Sequence, residues 1–285
     1  MSNGSFIVDN GKITSVGNSF LSPENRSFRY GDGLFESIKA VNSKIPFWDF
    51  HIQRLKSGLD ILEIEAGHVD WKKLKQDSIE LLDMNEHKKG ARVRLSFYRS
   101  GAGTYFPETN KAGYSIESSV LENEGFKLNA RGVQIDFYTR IKKPLNILSM
   151  VKSANAQLFV LAAKYAQNSK LDDALIINEN NELCEAVSSN IFIIKEDKIY
   201  TPPLSSGCLP GTMRMIIISM LSRKGITVSE KPISPSDLIL SDEIFLTNSI
   251  DGIKWVGGHK SKRFYKKYSE ILVKELNLIF LSGDS

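Results

Sequence analysis

The sequence has few of the residues that form disulfide scaffolds or metal centres. Only 2 of its 285 residues are cysteines, which is too few for a disulfide framework or a four-cysteine zinc site. The 4 histidines are scattered along the chain without the spacing of metal ligands, so no metal site is predicted. We expect Cys184 and Cys208 to be reduced and partly buried.

Long apolar runs and a strong charge of one sign are missing as well. No stretch reaches the roughly 18 consecutive apolar residues of a membrane-spanning helix. Lys and Arg total 37 against 33 Asp and Glu, a net charge of +4, which is too weak to predict nucleic acid or a membrane as a partner. The N-terminus lacks the basic and apolar regions of a secretory signal. We therefore expect a cytoplasmic protein with one large or two smaller domains.

The first part of the chain has the pattern of an α+β domain in which strands outnumber helices. Asn10-Gly11 is a hairpin signal between short apolar segments. Asp49 is a plausible helix cap, because apolar residues follow it at helical spacing. Strands are predicted over 34–41, 45–48, 92–98, 114–119 and 133–138, with a second helix over 71–84.

The second part alternates helices and strands differently. Helices are predicted over 154–167, from 210 to about 223, and over 264–281, with strands over 173–177, 190–194, 199–200 and 243–247. Because composition shifts over 120–130, we predict a small N-terminal domain over 1–122 and a larger C-terminal domain over 128–285. A cleft between two such domains would be a suitable place for a small ligand.

A few residues could carry chemistry, although each is weak when taken singly. Lys152 lies between an apolar run and a predicted helix, and a desolvated lysine amine can act as a nucleophile. Thr212 and Met213 follow a Pro-Gly pair at a helix start, where free amides bind anions. Gly31-Asp32-Gly33 lacks the third glycine of a dinucleotide fingerprint and is more typical of a tight turn.

Short motifs that include these residues follow one another in a characteristic order. In that order, the sequence resembles the class IV, or fold type IV, pyridoxal-phosphate enzymes. This family includes branched-chain aminotransferases, D-amino acid aminotransferases and aminodeoxychorismate lyases. The matching segments are 28–36, 51–55, 152–155, 172–175, 185–192, 200–204, 209–214 and 242–247.

The resemblance implies a fold, a cofactor and an assembly. The fold would be two α/β (α+β) domains, similar to D-amino acid aminotransferase, with pyridoxal 5'-phosphate (PLP) in the interdomain cleft and its lysine in the C-terminal domain. Relatives are homodimers whose partner loops complete the active site. The aromatic loop formed by Tyr105, Phe106 and Pro107 would then cross the dimer interface.

The resemblance also assigns roles to individual side chains. Lys152 would hold the cofactor covalently and then move the substrate α-proton. Glu185 would pair with the cofactor ring nitrogen, and Arg54 would bind its phosphate together with the amides of Thr212 and Met213. The remaining cofactor-binding and pocket residues would be Ser188, Ser189, Ser249, Tyr30, Phe35, Ser37, Arg99 and Thr104.

The subgroup within the family stays open. Met213 before Arg214, and Asn248, match the lyase pattern, whereas the strand through Phe35 and Ser37 is closer to the aminotransferases. Thr104 stands where D-amino acid aminotransferases and lyases tend to have an arginine. We predict an aminotransferase acting on a branched-chain-like amino acid and a 2-oxo acid. The alternatives are a lyase that releases pyruvate and 4-aminobenzoate from aminodeoxychorismate, and a PLP-holding protein without activity.

Overall fold

The computed structural model describes residues 4–18 and 22–282, and the chain divides into two compact units. The first comprises Met1–Gly125, Val151–Asn155 and Ile279–Ser285, and the second comprises Phe126–Met150 and Ala156–Leu278. The junction after Gly125 falls between the bounds predicted for the two domains. The segment that carries Lys152 belongs to the first unit, however, whereas the sequence placed it in the C-terminal domain.

The first unit contains a five-stranded antiparallel sheet with the strand order β2-β1-β5-β4-β3. One face of this sheet packs against the helices, because alternate residues of β3 and β4 are buried and, apart from Glu36, apolar over 34–40 and 91–97. The elements are β1 (Phe6–Asp9), β2 (Lys12–Ser15), α1 (Arg26–Tyr30), β3 (Gly33–Val41), α2 (Trp48–Ile61), α3 (Trp71–Met84), β4 (Gly90–Arg99) and β5 (Ala112–Val120).

The segment of residues 151–155 joins the first unit through backbone hydrogen bonds to β3. The amide of Phe35 donates to the carbonyl oxygen of Lys152 at 3.0 Å, and the amide of Ala154 donates to Gly33 at 2.8 Å. This extended pairing delays the start of the next helix, which was predicted from residue 154 but begins at Gln157. Pairing with β3 therefore fixes the backbone on both sides of the Lys152 side chain.

The second unit contains a mixed sheet with the order β11-β10-β9-β12-β13-β6-β7-β8, to which β14 adds beside β13. Its central strands are buried along nearly their whole length, as expected for a sheet covered on both faces. The strands are β6 (Val133–Lys143), β7 (Asp173–Asn178), β8 (Leu183–Ala186), β9 (Asn190–Lys195), β10 (Lys198–Thr201), β11 (Val228–Glu230), β12 (Glu243–Asn248), β13 (Gly252–His259) and β14 (Lys262–Arg263).

Helices of the second unit pack on this sheet, with α4 against β6 and β7 and α5 against β12. The helices are α4 (Gln157–Asn168), α5 (Thr212–Ser222), α6 (Pro235–Ile239) and α7 (Lys267–Ser282), whose last residues belong to the first unit. Across residues 4–18 and 22–282, no helix is long and apolar enough to cross a membrane.

The predicted strand over 45–48 and the predicted cap at Asp49 are wrong. Val41 and Lys44 exchange backbone hydrogen bonds of 2.9 Å across a tight turn, and Pro46 then has no N–H for a further ladder bond. Phe47 adopts a left-handed conformation (φ 60°), and α2 begins directly after it, so Asp49 lies inside the first turn. The chain therefore turns straight into the helix that carries Arg54.

Candidate active site

Glu36, His51 and Arg54 form a buried cluster in the first unit. Glu36 projects from β3 toward α2, and both of its oxygens accept from Arg54, at 2.7 Å from Nε and 2.6 Å from Nη2. Nδ1 of His51 lies 2.7 Å from Oε2 of the same carboxylate. His51 and Arg54 are three residues apart, so they lie on one face of α2. The structure thus holds the predicted phosphate-binding arginine by a bidentate ion pair.

The electrostatics of this cluster keep Glu36 ionised. Burial alone would raise the pKa of Glu36, but the charge of Arg54 and the hydrogen bond from His51 lower it to about 2. Burial also lowers the pKa of His51, against the opposite effect of Glu36. A neutral His51 must donate its Nδ1–H here, because an ionised carboxylate only accepts.

Lys152 lies against the aromatic ring of Phe35. Its Nζ is 4.4 Å from the ring centroid, and the guanidinium carbon of Arg94 is 3.8 Å from the same centroid. Such cation–π contacts stabilise positive charge without neutralising it. The structure therefore brings together two residues predicted for the site, Lys152 and Phe35, and adds Arg94, which the sequence analysis did not single out.

Arg92 and Arg94 place two positive charges on this face of the five-stranded sheet, and the exposed Glu117 lies opposite Arg94 on β5. The Nη2 of Arg92 donates to Ser37 Oγ at 3.0 Å, and its buried Nε has no hydrogen-bond partner among the described residues. Burial lowers the pKa of Arg94 from its ordinary value, although a guanidinium remains charged at neutral pH. A buried N–H without a partner costs free energy, so this face is suited to an anionic ligand.

Arg99 and Thr104 are predicted to line the substrate pocket. Arg99 is the last residue of β4, and Thr104 lies in the following loop, which is held by hydrogen bonds from buried side chains. Arg26 is buried and donates to Asp32 and to the carbonyl oxygens of Ala102, Gly103 and Thr104. Arg99 shares Asp32, and its other donors go to Leu62 O, Glu63 O and Asn110 Oδ1. The guanidinium of Arg99 is thus committed to holding the loop.

Tyr30, also predicted for the pocket, contacts this loop. Its ring centroid lies 5.5 Å from that of Tyr105, and the guanidinium of Arg26 is 5.2 Å from it. The left-handed Gly31 (φ 66°) ends α1 directly after Tyr30. A Cβ on Gly31 would come within 3.2 Å of the Asn155 backbone, so a glycine is required where α1 meets the segment of Lys152.

Glu185 is the centre of the candidate site in the second unit. It is 4 % exposed, and its Oε1 accepts from Lys143 Nζ at 2.5 Å while its Oε2 accepts from the Leu209 amide at 3.1 Å. The ammonium of Lys143 also donates to the Ser149 carbonyl oxygen at 3.1 Å. The sequence analysis missed Lys143, because no motif contains it.

The segment before α5 connects Glu185 to the start of that helix. Leu209, whose amide binds Glu185, accepts at its carbonyl oxygen from Asn190 Nδ2 and from the Gly211 amide, both at 2.8 Å. Asn190 lies so close that a Cβ on Gly211 would be 1.8 Å from its Oδ1. This turn therefore admits no side chain at Gly211, the N-cap of α5.

In the described structure no side chain caps the N-terminus of α5, the segment for which the sequence predicts an anion site. Gly211 offers no side-chain cap, so the first amides of α5, including those of Thr212 and Met213, lack intrahelical partners. Thr212 is 1 % exposed, and its hydroxyl has no hydrogen-bond partner among the described residues. An orphaned buried hydroxyl beside free amides fits a phosphate group.

The predicted serines of the second unit differ in their surroundings. Ser189 is buried, and its Oγ accepts from Asn248 Nδ2 at 3.1 Å. Asn248 also accepts from the amides of Ile250 and Asp251, which shapes the turn containing the half-buried Ser249. Ser188 is exposed, on the turn between β8 and β9.

The two cysteines are free and buried. Burial raises the pKa of the Cys208 thiol to about 11, and burial followed by the charge of Glu185 raises the pKa of the Cys184 thiol. Both thiols therefore stay protonated at neutral pH and are poor nucleophiles. Within the described ranges, no group of three or more His, Cys, Asp or Glu side chains is arranged to bind a metal ion.

Comparison with known proteins identifies the family. The family model described as amino-transferase class IV matches residues 33–256. The chain belongs to the class IV aminotransferase family. Because this family is PLP-dependent, the chain is an enzyme of that type, as the motifs predicted. The matched range includes Arg54, Lys152, Glu185 and the start of α5.

Relatives within the class IV family carry different activities in their names. An aminodeoxychorismate lyase of Vibrio harveyi is 27 % identical over 241 residues, covering 82 % of this chain and 85 % of its own. A putative branched-chain-amino-acid aminotransferase of Methanocaldococcus jannaschii is 28 % identical over 241 residues, covering 84 % and 83 %. The two activities left open by the motifs are thus both represented at nearly equal identity.

Solved structures confirm the fold. A branched-chain aminotransferase from Thermoproteus uzoniensis, crystallised with norvaline, superposes with a TM-score of 0.91 at 21 % identity, covering 99 % of this chain and 96 % of its own. The predicted fold type IV architecture is therefore correct. Since this identity is low, the structural likeness concerns the fold, and the reaction has to be argued from the site residues.

Proposed function

We propose that the protein is a PLP-dependent aminotransferase that moves an amino group between a branched-chain-like amino acid and a 2-oxo acid. The observation that carries this proposal is the placement of Lys152. Its backbone is fixed by pairing with β3, and its Nζ lies 4.4 Å from the Phe35 ring. A lysine amine held in this way can take the α-proton of a substrate and return it at a neighbouring carbon.

The candidate residues of each unit, taken separately, are suited to parts of the cofactor. When bound, PLP supplies an electron sink for the charge that develops when the α-proton leaves. In the first unit Arg54 would bind its phosphate, and in the second unit the hydroxyl of Thr212 and the first amides of α5 are suited to the same group. The buried carboxylate of Glu185 would accept from its ring nitrogen, and Ser189 and Ser249 would support the same region.

The basic face beside Lys152 supports an anionic co-substrate. Arg94 shares the Phe35 ring with Lys152, and Arg92 holds Ser37 while keeping a buried N–H without a partner in the described structure. Paired guanidinium groups bind carboxylates through charge-assisted hydrogen bonds. We therefore propose that the amino acceptor is a dicarboxylic 2-oxo acid whose second carboxylate binds at this face.

A second candidate function is the lyase reaction on aminodeoxychorismate. It is favoured by Met213 beside Arg214 and by Asn248, whose amide holds Ser189. The two reactions share removal of the α-proton by Lys152 and differ in the next step. In the lyase, the electron pair left by the departing α-proton expels a substituent from the neighbouring β-carbon. In the aminotransferase, the proton is returned at another carbon and no substituent leaves.

Two parallel incubations separate these functions. Leucine with 2-oxoglutarate should yield glutamate, and aminodeoxychorismate alone should yield no pyruvate. Pyruvate release without glutamate formation would replace the aminotransferase by the lyase. If neither product forms in a protein that binds PLP, both functions are wrong.

The role of Lys152 can be tested independently of the substrate. The purified protein with PLP should absorb visible light, and borohydride should fix the cofactor to the peptide containing Lys152. Lys152→Ala should lower turnover at least about 10²-fold while keeping the unfolding transition of the wild type. A protein that takes up no PLP, or a variant with wild-type turnover, would contradict the proposal.

We also propose a cytoplasmic homodimer. The side chains of Tyr105 and Phe106 are 85 % and 86 % exposed on a loop that Arg26 holds in place. Exposed aromatic residues on an ordered loop are typical of an interface. Two free, buried cysteines suit a reducing compartment. Light scattering should give twice the chain mass of 32.0 kDa, and Tyr105→Ser with Phe106→Ser should shift it toward one chain.

A further inference from the structure

We propose that Lys143 is a resident counter-ion that competes with the cofactor ring nitrogen for Glu185. The inference rests on the proposed role of Glu185 as the partner of that nitrogen. Its structural basis is the 2.5 Å contact between Lys143 Nζ and Glu185 Oε1. Lys143 is therefore a positioning residue that acts on the cofactor through Glu185.

The pair is buried, so its charges interact strongly. The side chains of Lys143 and Glu185 are 7 % and 5 % exposed, and charges shielded from water attract one another more strongly than charges at the surface. Apart from Glu185, the described partners of the ammonium are the Ser149 carbonyl oxygen and the ring of Phe159, at 5.5 Å. Glu185 is thus the sole anionic group paired with Lys143 in the described structure.

The hydrogen bonds of Glu185 leave room for a further donor. Lys143 occupies one oxygen and the Leu209 amide the other, whereas an ionised carboxylate has about four acceptor positions. A protonated ring nitrogen can therefore bind Glu185 without displacing Lys143. It would then share one buried negative charge with a second cation.

Two cations that share one carboxylate weaken each other. When Lys143 is present, its positive charge balances the negative charge of Glu185 before the cofactor binds. A protonated ring nitrogen is then stabilised less by Glu185. When Lys143 is replaced by a neutral residue, the ring nitrogen becomes the main counter-ion of a buried charge. Because such coupling is reciprocal, loss of Lys143 should strengthen the interaction between Glu185 and the ring nitrogen.

The consequence concerns how strongly the cofactor withdraws electrons. A ring nitrogen that holds its proton firmly makes the bound cofactor a stronger electron sink. Lys143 would moderate that strength in this protein.

The test compares PLP with 1-deaza-PLP, in which a C–H group replaces the ring nitrogen. Equilibrium titration of the apoenzyme gives the affinity for each, and their ratio isolates the contribution of the nitrogen. Lys143→Met should raise this preference for PLP at least about fivefold. Lys142→Met, an exposed neighbour on β6, should leave the ratio unchanged, as should Lys143→Arg, which keeps the cation.

Further variants keep the test decisive. Glu185→Gln should lower the wild-type preference for PLP, and adding Lys143→Met to it should have no further effect. If the apo form of Lys143→Met does not fold, Lys143→Gln replaces it, since a glutamine keeps a donor toward Ser149. A merely structural role of Lys143 would change both affinities equally, and an unchanged or lowered ratio would overturn the inference.

The same experiment gives a different result if Glu185 does not pair with the ring nitrogen at all. If Glu185→Gln keeps the full preference for PLP over 1-deaza-PLP, Glu185 is not the partner of the ring nitrogen, and both proposals fall. If Glu185→Gln loses the preference and neither neutral variant of Lys143 changes it, only the role of Lys143 is wrong.

Discussion

Glu36 and Glu185 are both buried carboxylates, but they differ in the number and kind of their hydrogen-bond donors. Glu36 in the first unit is 1 % exposed and receives three hydrogen bonds from Arg54 and His51. Glu185 in the second unit is 4 % exposed and receives two, from Lys143 and the Leu209 amide. Under the proposed function the two carboxylates would have different tasks. Glu36 would orient the side chain of Arg54, whereas Glu185 would keep acceptor positions for the cofactor.

The strongest way to break the first cluster is to remove its carboxylate. Glu36→Ala removes the carboxylate that forms the bidentate ion pair with the buried Arg54, and breaking a buried pair in this way costs about 3–5 kcal/mol. Urea unfolding should show this loss in the free energy of unfolding. The exposed Glu80→Ala on α3 is the control, with a change below about 0.5 kcal/mol. Equal effects would show that the cluster contributes little.

Acid should weaken the same cluster in a defined pH range. The pKa of Glu36 is lowered from 4.5 to about 2 in the folded protein. Its stabilising contribution is therefore fully present above about pH 4.5 and is lost as the pH falls toward 2. The total is about 3 kcal/mol. Between pH 5 and pH 3, the wild type should lose more free energy of unfolding than Glu36→Gln, and parallel losses would contradict this assignment.

A milder change tests whether the cluster serves the phosphate. Arg54→Lys keeps the charge but cannot make the bidentate contact with Glu36. The affinity for PLP should fall about 10- to 100-fold, whereas the affinity for pyridoxal, which has no phosphate, should stay the same. Arg29→Lys, on the exposed side of α1, should change neither. An equal loss for both ligands would show that Arg54 acts on the fold.

The smallest effect should come from the turn that supports Glu185. Asn190→Ala removes the 2.8 Å hydrogen bond to the Leu209 carbonyl oxygen, and Leu209 also donates to Glu185. We expect a loss of about 1 kcal/mol in the free energy of unfolding and a several-fold weaker affinity for PLP. Asn168→Ala, at an exposed position at the end of α4, is the matched control. An unchanged PLP affinity would separate this turn from the function of Glu185.

Local signals in the sequence were sufficient for much of the fold. The helix predicted over 71–84 is α3 (Trp71–Met84), because its apolar spacing is regular and Asp70 caps the amides of Lys72 and Lys73. The segment at 45–48 was misread because a left-handed Phe47 has no sequence signature. The pairing of residues 151–155 with β3 joins segments far apart in sequence, which periodicity cannot reveal.

The residues of the candidate site also differ in whether the sequence could reveal them. Motif order located Lys152, Glu185, Arg54 and the start of α5, and their roles remain proposals. The sequence analysis missed the partners that set their charge, because Lys143 lies 42 residues before Glu185 on another strand. Arg92 and Arg94 could have been recovered, since they alternate with buried Val93 and Leu95 on a predicted strand.

The turn before α5 also restricts how this chain can diverge. A Cβ at position 211 would lie 1.8 Å from the amide oxygen of Asn190, so position 211 cannot gain a side chain while Asn190 keeps its place. A lineage that replaces Gly211 must first acquire a smaller residue at position 190. It would then lose the hydrogen bond from Asn190 to the Leu209 carbonyl oxygen. In relatives of this protein, a side chain at position 211 should therefore occur only where position 190 holds a smaller residue, whereas position 190 can vary beside a glycine.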